Sequence, residues 1–312
     1  MEKFLVTGGA GFIGSNICKK LVSDGCFVRV VDNFLTGKKS NLKDFIDNIE
    51  FIEADMGDEQ VARTAMKDVD VVLHQGALPS VPRSVDDPAA THKHCVDATF
   101  TLLLAARDAG IKRFVFASSS SAYGDTPTLP KVETMLPQPL SPYAAGKLVG
   151  EYYCSVFYKV YDLETISLRY FNVFGPHQDP TSQYAAAIPA FVTAILRDKA
   201  PTVFGDGLQS RDFTYVDNVV EANLLAARAG HTAGDVVNIA CGQAVTVNET
   251  IDAINGIVGK NIKPVYTDPR PGDVKHSLAD ISAAENLIGF KPKVPFKQGL
   301  QFAIEWYREN LL

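Results

Sequence analysis

A glycine triplet set between an apolar strand and an amphipathic helix constrains this chain more than any other feature. Phe4-Leu5-Val6 is a short apolar run, followed by Thr7-Gly8-Gly9-Ala10-Gly11-Phe12-Ile13-Gly14. An amphipathic stretch from Ser15 to Ser23 then leads into Cys26-Phe27-Val28-Arg29-Val30-Val31-Asp32. The order reads as strand, glycine turn, helix, strand. In Gly9-x-Gly11-x-x-Gly14 the missing side chains allow a tight turn and let a pyrophosphate approach backbone amides at a helix N-terminus. Asp32 ends the second strand eighteen residues after Gly14, where a carboxylate accepts from a ribose hydroxyl and repels a 2′-phosphate. The pattern predicts a dinucleotide site for NAD rather than NADP.

The alternation continues beyond this unit. Strands are predicted near 50–54, 69–74, 113–118 and 165–170, with helical segments near 58–67 and 89–109. Such regularity implies a parallel sheet with helices on both faces. The expected class is α/β: a Rossmann-type doubly wound parallel sheet with a smaller, interleaved C-terminal substrate domain. After Gly175-Pro176 the pattern loosens, with a helix over about 186–198, a short strand at 201–204 and a helix over 246–258. Val236–Ala240 reads as a late return to the main sheet, and a proline-rich stretch precedes a final helix carrying Trp306. The expected division is 1–175 with 212–241 for the cofactor domain, and 176–211 with 242–312 for a substrate domain covering the open sheet edge.

At 312 residues, a net charge of −6 argues against a general nucleic-acid or anionic-membrane binder. An anionic ligand then requires local arginines or helix N-termini. Five scattered cysteines without a C-x-x-C suit reduced thiols in a cytoplasmic setting. No metal site is expected: the six histidines form no ligand set. His92 and His94 would diverge on a helix and read as surface or interface residues. No signal peptide, anchor or membrane-spanning run is expected.

Ser141-Pro142-Tyr143-Ala144-Ala145-Gly146-Lys147 carries the chemistry. Pro142 is placed to open a helix, and a four-residue spacing puts Tyr143 and Lys147 on one helical face. A phenol titrates near ~10, and lowering it to ~7 requires about 4 kcal/mol in favour of the phenolate. One cation at ~4 Å supplies about that much at an effective dielectric of ~20. The spacing thus predicts a tyrosine acid/base assisted by Lys147. Ala117-Ser118-Ser119-Ser120-Ser121 ends the strand that starts at Arg113, and strand C-termini face the ligand crevice of an open parallel sheet. Ser119 precedes Tyr143 by 24 residues, so one sheet edge can gather glycine turn, serine and tyrosine.

Taken together, these motifs resemble the extended short-chain dehydrogenase/reductases, and within them the nucleotide-sugar 4-epimerases. Further matches are Asp32-Asn33-Phe34, His74-Gln75, Leu168-Arg169-Tyr170-Phe171-Asn172-Val173-Phe174-Gly175-Pro176 and Ser210-Arg211-Asp212-Phe213. The resemblance implies that Gly8, Gly11, Phe12 and Ile13, with Gly14, hold the pyrophosphate. It implies Asp32 and Asn33 on the adenosine ribose, Asp55-Met56 on the adenine, and Gln75 and Ala77 on the nicotinamide side. Lys147 would bind the nicotinamide ribose, and Thr36, Gly37, Tyr143, Tyr170 and Val173 complete the cofactor set. On the substrate side it implies Ser119 and Tyr143 at the reacting hydroxyl, and Asn172 and Val203 in the nucleotide-sugar pocket. Arg211 and Arg270 fall on the diphosphate, and Ser80, Ser120 and Asp273 complete the set. The implied reaction takes the C4 hydroxyl proton onto the Tyr143 phenolate while NAD takes the C4 hydride. The resulting 4-keto sugar swings about its diphosphate and receives both back on the other face.

Features shared with UDP-N-acetylglucosamine 4-epimerases are Ser-Val-Pro-Arg-Ser at 80–84, Gln178-Asp179-Pro180 and Tyr184-Ala185-Ala186. Small Ser277, before Leu278-Ala279-Asp280, and Ala186 imply room for an acetamido group, whereas Pro79 departs from the smaller residue of those relatives. The expected reaction interconverts UDP-N-acetylglucosamine and UDP-N-acetylgalactosamine, and also UDP-glucose and UDP-galactose, in a homodimer whose helices beginning near Ala89 and Pro142 pair. Ser120-Ser121-Ala122-Tyr123-Gly124 lacks the Asp-Glu of 4,6-dehydratases. A UDP-glucuronate 4-epimerase or decarboxylase is the nearer rival. A non-catalytic NAD-binding regulator would be expected to lose Tyr143 or Lys147, and both are present.

Overall fold

The computed structural model describes residues 1–180, 186–269 and 274–311. Its first half runs β1 (Lys3–Thr7), α1 (Phe12–Ser23), β2 (Phe27–Asp32), β3 (Glu50–Glu53), α2 (Glu59–Met66), β4 (Val71–His74), α3 (Val81–Asp86) and α4 (Pro88–His92). A π-helical turn at Lys93–Asp97 leads into α5 (Ala98–Asp108). The helix expected over 89–109 is therefore interrupted at its centre. Then come β5 (Arg113–Ser119), α6 (Pro142–Tyr161), β6 (Thr165–Tyr170), β7 (Val173–Phe174), α7 (Ala187–Leu196) and β8 (Thr202–Phe204). The remainder comprises β9 (Ser210–Asp212), β10 (Thr214–Tyr215), α8 (Val216–Arg228), β11 (Asp235–Ile239), β12 (Ala244–Thr246), α9 (Val247–Val258), β13 (Val265–Thr267), α10 (Ser282–Ile288) and α11 (Phe296–Leu311).

Seven strands form one parallel sheet in the order β11-β6-β5-β4-β1-β2-β3. The chain leaves β1 toward β2 and β3 and returns on its other side at β4. That reversal opens a crevice at the strand C-terminal ends. Register brings Thr7 beside His74 and Ser119 beside Tyr170 at this edge.

Strand residues alternate between two cores because their side chains point to opposite faces. Phe4, Val6, Val115 and Ala117 enter the core shared with α1 and α8, whereas Leu5, Phe114 and Phe116 enter the core shared with α2, α5 and α6. Both faces are covered, so the strands read as near-continuous apolar runs. α8 packs on α1 and reaches β4, β5 and β6, and α10 lies against β11, the last strand of the sheet.

The C-terminal elements extend the first core. α7, α9 and α11 pack on one another, with Ile188, Ile251 and Leu300 buried in the same cluster as Ile17 and Val219. Phe174 meets Phe213, Tyr215 and Phe296 at ring separations of 6.2, 5.7 and 5.8 Å, all edge-on. Such pairs contribute about 0.5–1.5 kcal/mol each beyond their burial. They seat the start of α11 against β7 and β10. A small third core of Tyr123, Phe171, Ala240 and Ala279 joins the loop after β5 to the segment before α10.

Candidate active site

The start of α1 is built to receive an anion. Gly11 is its N-cap, no side chain caps it, and its first turn holds no acidic residue. The opening amides of the helix are thus left for an external acceptor. Gly14 permits this geometry: a Cβ there would stand 2.2 Å from the Gly8 carbonyl oxygen. Asp32 fixes the neighbouring loop, its Oδ2 accepting from the Ala10 amide (2.9 Å) and its Oδ1 from the Phe34 amide (2.8 Å). Burial raises the pKa of this carboxyl and the amides oppose the rise. Gly37 lies against it, since a Cβ there would sit 3.0 Å from Asp32 Oδ1. Asp55 turns inward, its Oδ1 accepting from the Gly57 amide at 2.9 Å.

A crevice at this edge is lined by Gly8, Asp32, Asn33, Thr36, Met56, Gly76, Ala77 and His94. His94, half-buried, is among these lining residues. The π turn at Lys93–Asp97 inserts one residue into the helical register and swings His94 toward the crevice. The donor-rich helix start, the side-chain-free glycine turn and the carboxylate at the end of β2 fit a dinucleotide.

α6 delivers the next groups. Ser141 caps it by accepting from the Ala144 amide at 3.2 Å, and Pro142 occupies its first turn. Its third turn lies close to β5, because a Cβ on Gly150 would stand 2.4 Å from Phe116 Cζ. Lys147 is buried and donates to the Ala117 carbonyl at 2.7 Å, with its Nζ 4.9 Å from the Phe116 ring centroid and 5.9 Å from that of Tyr143. Ser119 Oγ accepts from the Ser121 amide (3.2 Å) and hydroxyl (2.9 Å) and lies near the Tyr143 phenol. Burial dominates the electrostatics here, pushing the phenol well above its usual range and the Lys147 ammonium below its own. The ammonium is directed at a carbonyl of β5 rather than at the phenolic oxygen.

Behind this pair, Arg169 forms a buried bidentate pair with Glu151 (2.8 and 2.7 Å), and Ser118 donates to the same carboxylate. β5, β6 and α6 are thus tied together one turn beyond Lys147. Tyr170 Oη accepts from Asn223 Nδ2 (2.8 Å) and donates to Gln75 Oε1 (3.1 Å), while Gln75 Nε2 donates to Asn223 Oδ1 (2.9 Å). Val173 opens β7 immediately beyond, half-buried.

On the far side, Asn172 Nδ2 donates to Ser277 Oγ and to the Asp212 carbonyl, both at 3.1 Å. Arg211 donates to the carbonyls of Ser210 (2.9 Å) and Lys275 (3.2 Å). Ser80 adopts φ +112°, a left-handed backbone that is strained for serine, and caps α3. Ser120 begins a single 3₁₀ turn directly after β5. Ala186 is the exposed N-cap of α7. Val203, on β8, is buried in the main core cluster. Arg270, Asp273, Tyr184 and Ala185 lie outside the described residues.

A groove of about 970 Å³ lies elsewhere, between the flank of α1 and α11, with Asn16, Lys19 and Trp306 among its walls. Its described walls carry five lysines and five acids, so it has no net charge with which to select an anion. Among the described residues no helix is long and apolar enough to cross a membrane.

Residues 4–240 match the NAD dependent epimerase/dehydratase family. A solved UDP-N-acetylglucosamine 4-epimerase from Methanobrevibacter ruminantium M1, in complex with UDP-N-acetylmuramic acid, is 41% identical and covers 99% of both chains at a TM-score of 0.95. A Thermotoga maritima UDP-glucose 4-epimerase with UDP-glucose is 39% identical, again over 99% of both chains, at 0.94. A UDP-glucose 4-epimerase of Mycolicibacterium smegmatis is 37% identical over 312 residues, 98% of each chain. With the family match running from β1 into β11 and relatives aligned almost end to end, this chain belongs to the NAD dependent epimerase/dehydratase family.

Proposed function

We propose that this protein is an NAD-dependent 4-epimerase of UDP-sugars, interconverting UDP-N-acetylglucosamine with UDP-N-acetylgalactosamine and UDP-glucose with UDP-galactose. The observation that carries this reading is the convergence of Ser119, Tyr143 and Lys147 beside the dinucleotide crevice. Relatives at 41% and 39% identity carrying these two sugar specificities support it. Gly11, Phe12 and Ile13 hold the pyrophosphate, Asp32 and Asn33 the adenosine ribose, and Met56 and Ala77 line the crevice between. NAD, when bound, supplies the acceptor and donor of the C4 hydride.

Tyr143 takes the C4 hydroxyl proton and returns it, and Ser119, near the phenol, orients that hydroxyl. Lys147 spends one N–H on Ala117 and keeps two for a ribose hydroxyl. Arg211 anchors the diphosphate while the sugar reorients, together with Arg270. Asn172, Ser277 and Ala186 border the sugar, and none of the three is bulky enough to exclude an acetamido group. The substrate side comprises 176–211 and 242–312, and the remainder binds the cofactor.

The working unit is a homodimer. Tyr152, Val156 and Val160 recur at four-residue spacing on α6 and are exposed, and exposed Phe100 of α5 packs on Tyr153 of the same helix. Five unpaired cysteines suit a reducing cytoplasmic compartment.

The deciding experiment incubates the protein separately with UDP-glucose, UDP-N-acetylglucosamine and UDP-glucuronate and resolves products by NMR. Turnover of the first two supports the reading, and turnover of UDP-glucuronate alone replaces it. Tyr143→Phe is expected to lower turnover by about 10²–10⁴-fold with NAD still bound. Retained turnover would remove Tyr143 from the role of base.

A further inference from the structure

Asp212 lies at the end of β9, wholly inaccessible to solvent. Its Oδ1 accepts from the Cys241 amide at 3.0 Å, and its Oδ2 accepts from the amides of Gly242 (3.0 Å) and Ala279 (3.2 Å). Among the described residues no cation lies within ion-pair reach of this carboxylate, so its charge is met by backbone dipoles. Its own amide donates to Ser277 Oγ at 3.3 Å, and its carbonyl accepts from Asn172 Nδ2 at 3.1 Å. Ser277 is held from a further direction, its amide donating to the Ser210 carbonyl at 3.1 Å. One residue therefore joins the turn after β11, the strand-like segment 277–279, β9 and the bend at Asn172.

We infer that Asp212 is a positioning residue for the sugar pocket, setting where Ser277 and Asn172 stand against the substrate. The inference rests on the UDP-sugar reading. Three N–H groups from two separate segments converge on one side chain, and only a group with two acceptor oxygens and no donor satisfies them all. Burial pushes the Asp212 carboxyl up to about 6, with the amides opposing, so it is an acceptor-only anion at pH 7.5. Asparagine in its place turns an NH₂ toward amides that also donate. The segment carrying Ser277 then loses its tie while the cofactor crevice and α6, which Asp212 does not touch, keep theirs.

The test compares Asp212→Asn with wild type in two measurements at pH 7.5. Without substrate, hydrogen exchange of peptides covering 241–242 and 277–279 is expected to accelerate, with peptides covering 8–15 unchanged. In turnover, KM for UDP-N-acetylglucosamine is expected to rise about tenfold with kcat within about threefold, which is the signature of lost ground-state binding. The ratio of kcat/KM between UDP-N-acetylglucosamine and UDP-glucose is expected to change by about fivefold or more, because the two sugars differ beside Ser277. Unchanged exchange at 241–242 and 277–279 overturns the inference, as does equal loss on both sugars. A wild type that turns over neither sugar overturns the proposed function instead, and the exchange experiment still decides whether Asp212 holds the segment. Where Asp212→Asn does not fold, Ser277→Ala takes its place, removing the hydroxyl that Asp212 and Asn172 share. An unaltered sugar ratio in that variant also overturns the inference.

Discussion

Tyr143 and Lys147 stand one helical turn apart, and burial moves both away from their charged forms. The ammonium lowers its cost by pairing with the Ala117 carbonyl and the Phe116 face, while the phenol lies near Ser119. The buried ammonium is turned to β5, with its Nζ 5.9 Å from the Tyr143 ring centroid. His94, which spacing reads as a surface or interface residue, lines the crevice. His94→Ala is expected to raise the Kd for NAD about tenfold, equivalent to about 1.4 kcal/mol. Fluorescence titration of the NAD-free protein would measure it, and an unchanged Kd would return His94 to a purely peripheral role.

At the scale of elements, α6 is the part on which the chemistry depends. Its approach to β5 is set by Gly150 over Phe116, and its rotation by the buried Glu151–Arg169 pair. Adding a methyl group at Gly150 overpacks this contact at a cost of about 1–3 kcal/mol, offset by about 1 kcal/mol of helix propensity. Gly150→Ala is thus expected to lower stability by up to about 2 kcal/mol in urea unfolding. Turnover is expected to fall severalfold as well, since the same displacement carries Tyr143 and Lys147. Full stability with full activity would mean that Phe116 yields freely. The π turn belongs to this scale too, because nothing in Lys93-His94-Cys95-Val96-Asp97 distinguishes it from ordinary helix.

At the scale of the whole molecule, His74 links β4 to β1 and α5. Its Nδ1 pairs with Thr7 Oγ1 at 2.7 Å and its Nε2 with Thr99 Oγ1 at 2.9 Å, with no solvent exposure. Burial lowers its pKa from 6.5 to about 3, with Lys147 contributing. Between those values the unfolded chain binds a proton that the native state does not, so stability from this group falls as pH drops through that window. At pH 5 the loss amounts to about 2 kcal/mol relative to pH 7. Asp212, with its raised pKa, acts in the opposite direction between about 4 and 6. His74→Gln isolates the first effect: denaturation at pH 7 and pH 5 is expected to show a fall smaller than that of wild type by about 2 kcal/mol. Equal falls would assign acid sensitivity to other groups.

The class of fold, the dinucleotide crevice and the tyrosine–lysine pair were legible in the chain alone. Each rests on relations that span few residues: apolar alternation in β1, β2 and β5, a glycine turn opening a helix, and two side chains four apart. Tertiary structure decided the rest. Lys147 finds its carbonyl at Ala117, and Asp212 gathers amides from Cys241, Gly242 and Ala279. These outcomes depend on which segments pack together and at what rotation. Buried polar groups take whatever partner that packing brings within hydrogen-bond reach, and no local pattern encodes the choice.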